Sequence, residues 1–173
     1  MSPLRDDHSA RPGKAMSATI TFARLSTVSC DEIAAHMSDP RVAAHMPLLT
    51  SAWDHAKAKR FVDMKEAFWQ RDGLGHWAFL AGGAYVGWGG FQKEGAEWDF
   101  GLVLKPDAFG LGIRIAHLAM ACARADQRIP FVTFLLPPSR TRLKALERLG
   151  AAFVGRVRHD GCDFLKYRLE TPR

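Results

Sequence analysis

The sequence predicts one α/β domain of the α+β kind, a central mixed, mostly antiparallel sheet of about seven strands with helices on both faces. Three observations lead there. The chain has 173 residues, the size of a single domain with a real core. Seven runs read as strands, and several are joined by tight glycine-marked turns of the antiparallel hairpin kind. One stretch, 102–136, instead reads strand, glycine turn, helix, strand, and a helical crossover of that kind joins parallel neighbours.

Residues 19–25 alternate weakly and read as the first strand. Residues 31–37 read as a short helix, with Ser29 as its cap and Asp31 and Glu32 in its first turn. Asp39-Pro40 breaks the chain, and 41–45 can form another helical turn. Residues 54–70 give the best surface helix, with Ala58, Phe61, Val62, Lys65 and Phe68 at helical spacing and Arg71-Asp-Gly73 as its end. Strands over 76–80 and 84–92 flank a Gly82-Gly83 hairpin, and Glu94-Gly95 turns the chain into a strand over 97–104. A helix over 112–126, a strand over 129–136 and a helix over 140–149 capped by Ser139 follow. Residues 152–158 and 163–169 close the chain as a hairpin over His159-Asp-Gly161. Residues 1–16, with Pro3, Pro12, Gly13 and scattered charges, read as a disordered leader without a secretory apolar region, and 17–173 as the one domain.

Composition narrows the function classes. Hydrophobic residues make up 47%, yet no apolar run reaches the ~18 residues that span a bilayer, so no membrane partner is expected. The formal charge of +6 suits an acidic partner, either nucleotide-cofactor phosphates or nucleic acid, and the chain has no long Lys/Arg run of the kind that favours the second. Arg5, Arg11 and Lys14 place part of that excess in the leader. Cys30, Cys122 and Cys162 are isolated and odd in number, which argues against a disulfide framework and makes the cytoplasm the expected compartment. No histidine or cysteine spacing implies a metal, and no G-x-S-x-G elbow is present.

The chemistry-bearing stretch is Leu102-Val-Leu-Lys-Pro-Asp-Ala-Phe-Gly-Leu-Gly-Ile-Arg-Ile115. An apolar strand enters a Pro-marked turn, and Gly110 and Gly112 open a helix. Unpaired N–H groups and the positive dipole end of such a helix suit a phosphate. Asp99-Phe-Gly101, Leu104, Pro106 and Phe109-Gly-Leu-Gly-Ile-Arg114, followed by Pro137, Ser139, Arg142 and Leu146-Glu-Arg-Leu-Gly150, resemble the GNAT superfamily of acyl-CoA-dependent N-acyltransferases, most closely its RimJ/RimL-type branch. The resemblance spans about residues 19–170 and needs no gap within either motif.

That resemblance implies an enzyme, an N-acetyltransferase that moves an acyl group from acyl-CoA, with acetyl-CoA the expected donor, to a small-molecule or peptide amine in a ternary complex. It implies that Val103 and Leu104 take the pantetheine arm of CoA. The backbone around Phe109, Gly110, Leu111, Gly112 and Ile113 would take the pyrophosphate, and Ser139 and Arg142 would lie beside the arm. Arg114 stands where the family has Gly or Ala, and is either a phosphate partner or a helix-surface arginine. Leu111 stands where the family often has a cation. Asp99, with Glu97 two residues before it on the same strand face, is the candidate general base, because the attacking amine must lose a proton. Leu146 stands where many members carry a tyrosine acid, which leaves Ser139 or water to protonate the thiolate. His45, Trp53, Trp88 and the 155–162 hairpin are candidates for the acceptor wall. A non-catalytic CoA-binding protein and a nucleic-acid-associated protein are the alternative readings, and a homodimer is left open.

Overall fold

The structure is a computed structural model that describes residues 17–49, 51–141 and 143–172. The expected leader, residues 1–16, lies outside the described residues. Seven strands form one sheet in the order β1-β2-β3-β4-β5-β7-β6: β1 Ile20–Arg24, β2 His76–Ala81, β3 Ala84–Glu94, β4 Glu97–Leu104, β5 Phe131–Leu136, β6 Ala152–His159 and β7 Cys162–Glu170. Every neighbouring pair is antiparallel except β4–β5, which is parallel. The helices are α1 Cys30–Met37, α2 Pro40–Ala43, α3 His55–Asp72, α4 Gly112–Ala125 and α5 Lys144–Arg148.

Local chemistry sets most of these boundaries. Ser29 accepts the Glu32 N–H, Asp39 that of Arg41, and Asp54 that of Lys57, so α1, α2 and α3 each start on a side-chain cap. Gly73, at φ 68°, closes α3 by returning its N–H to the Trp69 carbonyl. Gly82 and Gly83, both at positive φ, make the β2–β3 turn. Asp160 and Gly161, also at positive φ, make the β6–β7 turn.

Two sequence expectations are corrected. Ser139 caps no helix. β5 is followed by Pro137-Pro138, and the Arg140 N–H closes a turn on the Pro137 carbonyl. The helix begins only at Lys144, with no side-chain cap on Leu143. The glycine turn is itself helical: a 3-10 turn over Pro106–Leu111 runs straight into α4, and Gly112 has φ −54°.

The two faces of the sheet carry different cores. On one, Ile115, Ala116, Ala119, Met120 and Ala123 of α4 pack against Phe91, Phe100, Val132 and Phe134 and, nearer the β1 edge, Phe79. The stretch Pro106–Ala125 is long and apolar enough to cross a membrane by composition, but this stripe sits in the protein core. On the other face, Ile33 and Met37 of α1 and Ala58 and Val62 of α3 pack with Ala78, Tyr85 and Trp88. Alternation along β4 therefore turns Phe100, Leu102 and Leu104 to the α4 side, and Asp99, Gly101 and Val103 to the α1/α3 side.

Candidate active site

The sheet opens at its centre. β4 pairs with β3 along its whole length, from Glu97 opposite Glu94 to Leu104 opposite Gly87. Its registered pairing with β5 is Asp99 with Thr133. Continuing that register would set Pro137 and Pro138 beside Val103 and Leu104, and proline has no N–H to give a ladder. The β4–β5 ladder therefore cannot continue to Val103 and Leu104, and the space left beside those two residues is the opening. A Cβ added at Gly101, in the same stretch, meets no atom within 4 Å. At Gly89, on the neighbouring strand, it would lie 2.2 Å from the Gly101 carbonyl oxygen.

Asp99 stands at the closed end of this opening. It is not an edge-strand charge, since β4 lies between β3 and β5. Thr133 donates its hydroxyl to Asp99 Oδ1 at 3.2 Å. Burial pushes the Asp99 carboxyl up to about 6; the Thr133 bond and the charges of Lys166 and His159 pull the other way, and Glu94 adds to the rise. Glu97, two residues earlier, is held by Lys166 at 2.5 Å.

Beside them is a residue that the sequence reading left among helical-face positions. Lys65 of α3 is buried, with 7% of its surface exposed. Its Nζ donates to Gln92 Oε1 at 2.8 Å, and Gln92 is the β3 partner of Asp99. The ammonium lies 5.5 Å from the ring centroids of Phe61, Phe68 and Trp88. Burial lowers its pKa to about 8, against the opposing pull of Glu94 and Asp99. The signal available in the sequence was a lysine on the Ala58–Val62 stripe of an amphipathic helix.

Two of the three residues expected in the acceptor wall come together. Trp53 and Trp88 each stack edge-on against Phe61, with centroids 5.1 and 4.8 Å away. Trp88 Nε1 donates to Met37 Sδ at 3.2 Å, whereas Trp53 Nε1 and His76 Nδ1 are buried with no hydrogen-bond partner among the described residues. His45 is exposed, just past α2, and joins none of these contacts. Cys162, at the tip of the β6–β7 hairpin, lies 3.9 Å from the Pro47 carbonyl, so the hairpin reaches the segment that precedes Trp53. His36 Nδ1 of α1 and the Tyr85 hydroxyl share a hydrogen bond at 2.9 Å; burial lowers the histidine and raises the phenol, so both are neutral at pH 7.

The expected phosphate segment divides by burial. Phe109, Gly110 and Ile113 are exposed at the start of α4, while Leu111 is 1% exposed and belongs to the core with Phe79 and Ile115. A cation could not occupy the Leu111 position without burying its charge. Gly112 gives its N–H to the Phe109 carbonyl inside the 3-10 turn, and a Cβ there would make ordinary contacts with Leu104 and Leu102. Arg114 donates to the Ala18 carbonyl at 3.1 Å and so ties α4 to the segment before β1. An open hollow of about 330 Å³ on the outer side of α4 is lined by Ile113, Arg114, His117 and Leu118, on the opposite face of the sheet from Asp99. Ser139 is exposed in the turn after β5, and Arg142 lies outside the described residues. Among the described residues no group of three histidine, cysteine, aspartate or glutamate side chains is placed to hold a metal ion.

Residues 20–152 match the family model described as acetyltransferase (GNAT) domain. The chain belongs to the GNAT acetyltransferase family. The solved structures it resembles include an acetyltransferase from Agrobacterium tumefaciens str. C58, at 21% identity and TM-score 0.69, covering 87% of this chain and 90% of that one. RimL, a ribosomal L7/L12 alpha-N-protein acetyltransferase in complex with coenzyme A, matches at 13% identity and TM-score 0.72, covering 89% and 95%. An aminoglycoside acetyltransferase, AAC(6')-Ib, in complex with coenzyme A matches at 10% identity and TM-score 0.69, also covering 89% and 95%. At these identities the likeness is one of fold. No curated protein matches the sequence. This GNAT domain therefore shares its sheet and its crossover with enzymes whose acceptors differ widely.

Proposed function

We propose that this GNAT domain is an acyl-CoA-dependent N-acyltransferase of the RimJ/RimL type, acting on a primary amine by direct transfer in a ternary complex, with acetyl-CoA as donor, and that it works in the cytoplasm. The observation that carries the reading is the opening between β4 and β5, with a partly buried carboxylate at its closed end and the side-chain-free Gly101 just beyond. Backbone groups of Val103 and Leu104 on the opening suit the amides of a pantetheine arm. The exposed start of α4, around Phe109, Gly110 and Ile113, suits a pyrophosphate, because a helix start favours anions. Bound there, the donor supplies a thioester-activated acyl group.

The chain's own residues do the rest. Asp99, raised to about 6, is largely ionised at pH 7 and basic enough to take the proton that the amine loses on attack. Thr133 fixes the carboxylate by donating to Oδ1. Glu97 is engaged with Lys166, which leaves Asp99 the better-placed base. Trp53, Phe61 and Trp88 supply an apolar flank for the acceptor.

A thermal-shift titration with acetyl-CoA and with desulfo-CoA tests the binding half of this reading. A ligand at 100 times its Kd stabilises the folded state by about 2.7 kcal/mol. Release of CoA thiol in the presence of a panel of amines tests the other half. The non-catalytic reading draws on one observation: Leu146, at the position where many members carry a tyrosine acid, is packed against the α4-side core and has no proton to donate. Binding without thiol release across the panel would select it.

A further inference from the structure

We propose that Lys65 is an internal acyl acceptor, taking an acyl group from acyl-CoA onto its own Nζ. The inference rests on the acyl-CoA reading above. It starts from a lysine where the fold calls for an apolar side chain, on the stripe that α3 turns to the sheet. Lys65 is the one buried lysine among the described residues, and no carboxylate lies within ion-pair distance of it. It has a single hydrogen-bond acceptor, Gln92, and three aromatic rings around it.

Its position matters as much as its burial. Trp88 and Gln92, which flank the ammonium, also flank Gly90 on β3, and Gly90 is the register partner of Gly101. Nζ is thereby held on the α1/α3 face of β3, between two side chains of the strand that pairs with β4, and close enough to Asp99 for the two charges to couple. Asp99 stands on β4 opposite Gln92, on the same face. An amine acceptor would need the same placement: beside the opening, beside the base and flanked by Trp88.

The charge state suits attack. Glu94, Asp99 and His76 are the titratable groups that couple to Lys65, and burial outweighs the two carboxylates to leave its pKa about 8. Lys59, on the exposed side of the same helix, is instead held ionised by Asp63. In the proposed step the ammonium first loses one proton to solvent. The Nζ lone pair then attacks the thioester carbonyl carbon, the C–N bond forms, and the C–S bond breaks with its electron pair on sulfur. The second nitrogen proton passes to Asp99 and on to the thiolate, giving the amide and CoA thiol.

The test is to incubate the folded protein with acetyl-CoA and map the acetyl group by peptide mass spectrometry, alongside Lys65→Arg and Asp99→Asn. One acetyl group on Lys65 is expected, with Lys59 modified at least ~10-fold less, since neutral amine falls tenfold per pKa unit. Asp99→Asn should slow labelling of Lys65, and Lys65→Arg should remove that label while leaving any trace on Lys57 and Lys59 unchanged. Independently of turnover, the Lys65 ammonium, followed by NMR in lysine-labelled protein, should titrate well below the other lysines. An unmodified Lys65 in protein that desulfo-CoA stabilises would overturn the inference and leave the cofactor reading standing. So would equal labelling of Lys59, or a Lys65 that titrates with the rest. Absence of any thermal shift with either ligand would remove the cofactor reading and this inference together.

Discussion

Asp99 carries two opposite consequences in one side chain. Its folded pKa, about 6, lies above the ordinary 3.8, so the folded state holds the proton more tightly than the unfolded state. Its contribution to stability is then complete below about pH 4 and is lost as pH rises through about 6. Asp99→Asn removes that penalty while keeping an oxygen to accept the Thr133 hydroxyl. The variant should be more stable than the parent at pH 7.5, by about 1–2 kcal/mol of the ~3 that a two-unit shift allows, and the gain should vanish at pH 4. Denaturant melts at the two pH values check this. The same variant should lose roughly 10²–10⁴-fold in amine acylation, with CoA binding unchanged. An activity loss accompanied by lost stability at pH 7.5 would show a merely structural carboxylate. At this scale Asp99 was legible as a candidate, because its spacing in the family motif named it. Lys65 and Gln92 were not, since nothing along one chain reveals that α3 lies across β3. Thr133 was hidden in the same way, because its partnership with Asp99 exists only once the crossover brings β5 alongside β4.

At the scale of elements, the glycines of β3 and β4 separate fold from site. Gly89→Ala would drive its Cβ to 2.2 Å from the Gly101 carbonyl oxygen, a backbone atom that cannot step aside. Overpacking of this kind costs about 1–3 kcal/mol, and a lowered melting temperature should report it. Gly101→Ala meets nothing within 4 Å and should melt like the parent. Its methyl group would enter the space beyond Asp99, so acyl transfer should fall while stability holds. Ser29→Ala should cost about 1 kcal/mol by removing the cap of α1. That helix also carries Glu32, which pairs with Lys105 at 2.9 Å, and His36, so loosening it should disturb the end of β4 as well. Strands and hairpins were legible because turn glycines mark them. The 140–149 helix was overextended because Arg140 to Leu143 looks helical in composition, whereas the Pro137–Arg140 turn holds the chain out of a helix until Lys144.

For the whole molecule, the parallel β4–β5 pair divides the sheet into a β1–β4 half and a β5–β7 half that meet at Asp99 and Thr133. α4, with its buried stripe, packs across both halves. At the closed end, Arg128 bonds the Asp72 carbonyl at 2.7 Å and packs over Trp98, which fixes the α4–β5 connection to the end of α3. Hydrogen exchange should therefore find those amides of residues 102–104 and 134–136 that face the opening, rather than β3 or β7, less protected than those of β2 and β3. CoA should raise their protection while leaving β6 unchanged. The β2-β3-β4 neighbours were legible from their tight turns, whereas the place of β1 beside β2 was not, because a long helical stretch separates the two. The parallel pairing at the joint was legible from the helical crossover over 102–136, but where that pairing ends was not, because two prolines after a strand mark an ending without saying which neighbour they fail to meet.

The parting of β4 and β5 also gives the molecule something that closed sheets avoid, an edge in its own interior. Backbone donors and acceptors that strand pairing would consume are left to whatever extended segment arrives first. On the proposed function, that segment in cells is the cofactor's pantetheine arm. In purified, concentrated protein it can equally be a strand of another chain, which would enter the gap by the same hydrogen bonds. Light scattering of concentrated samples should therefore show slow self-association that desulfo-CoA suppresses. On this account the feature that admits the substrate also makes the ligand-free state the one most exposed to aggregation, and ligand supply becomes a form of protection during storage and crystallisation.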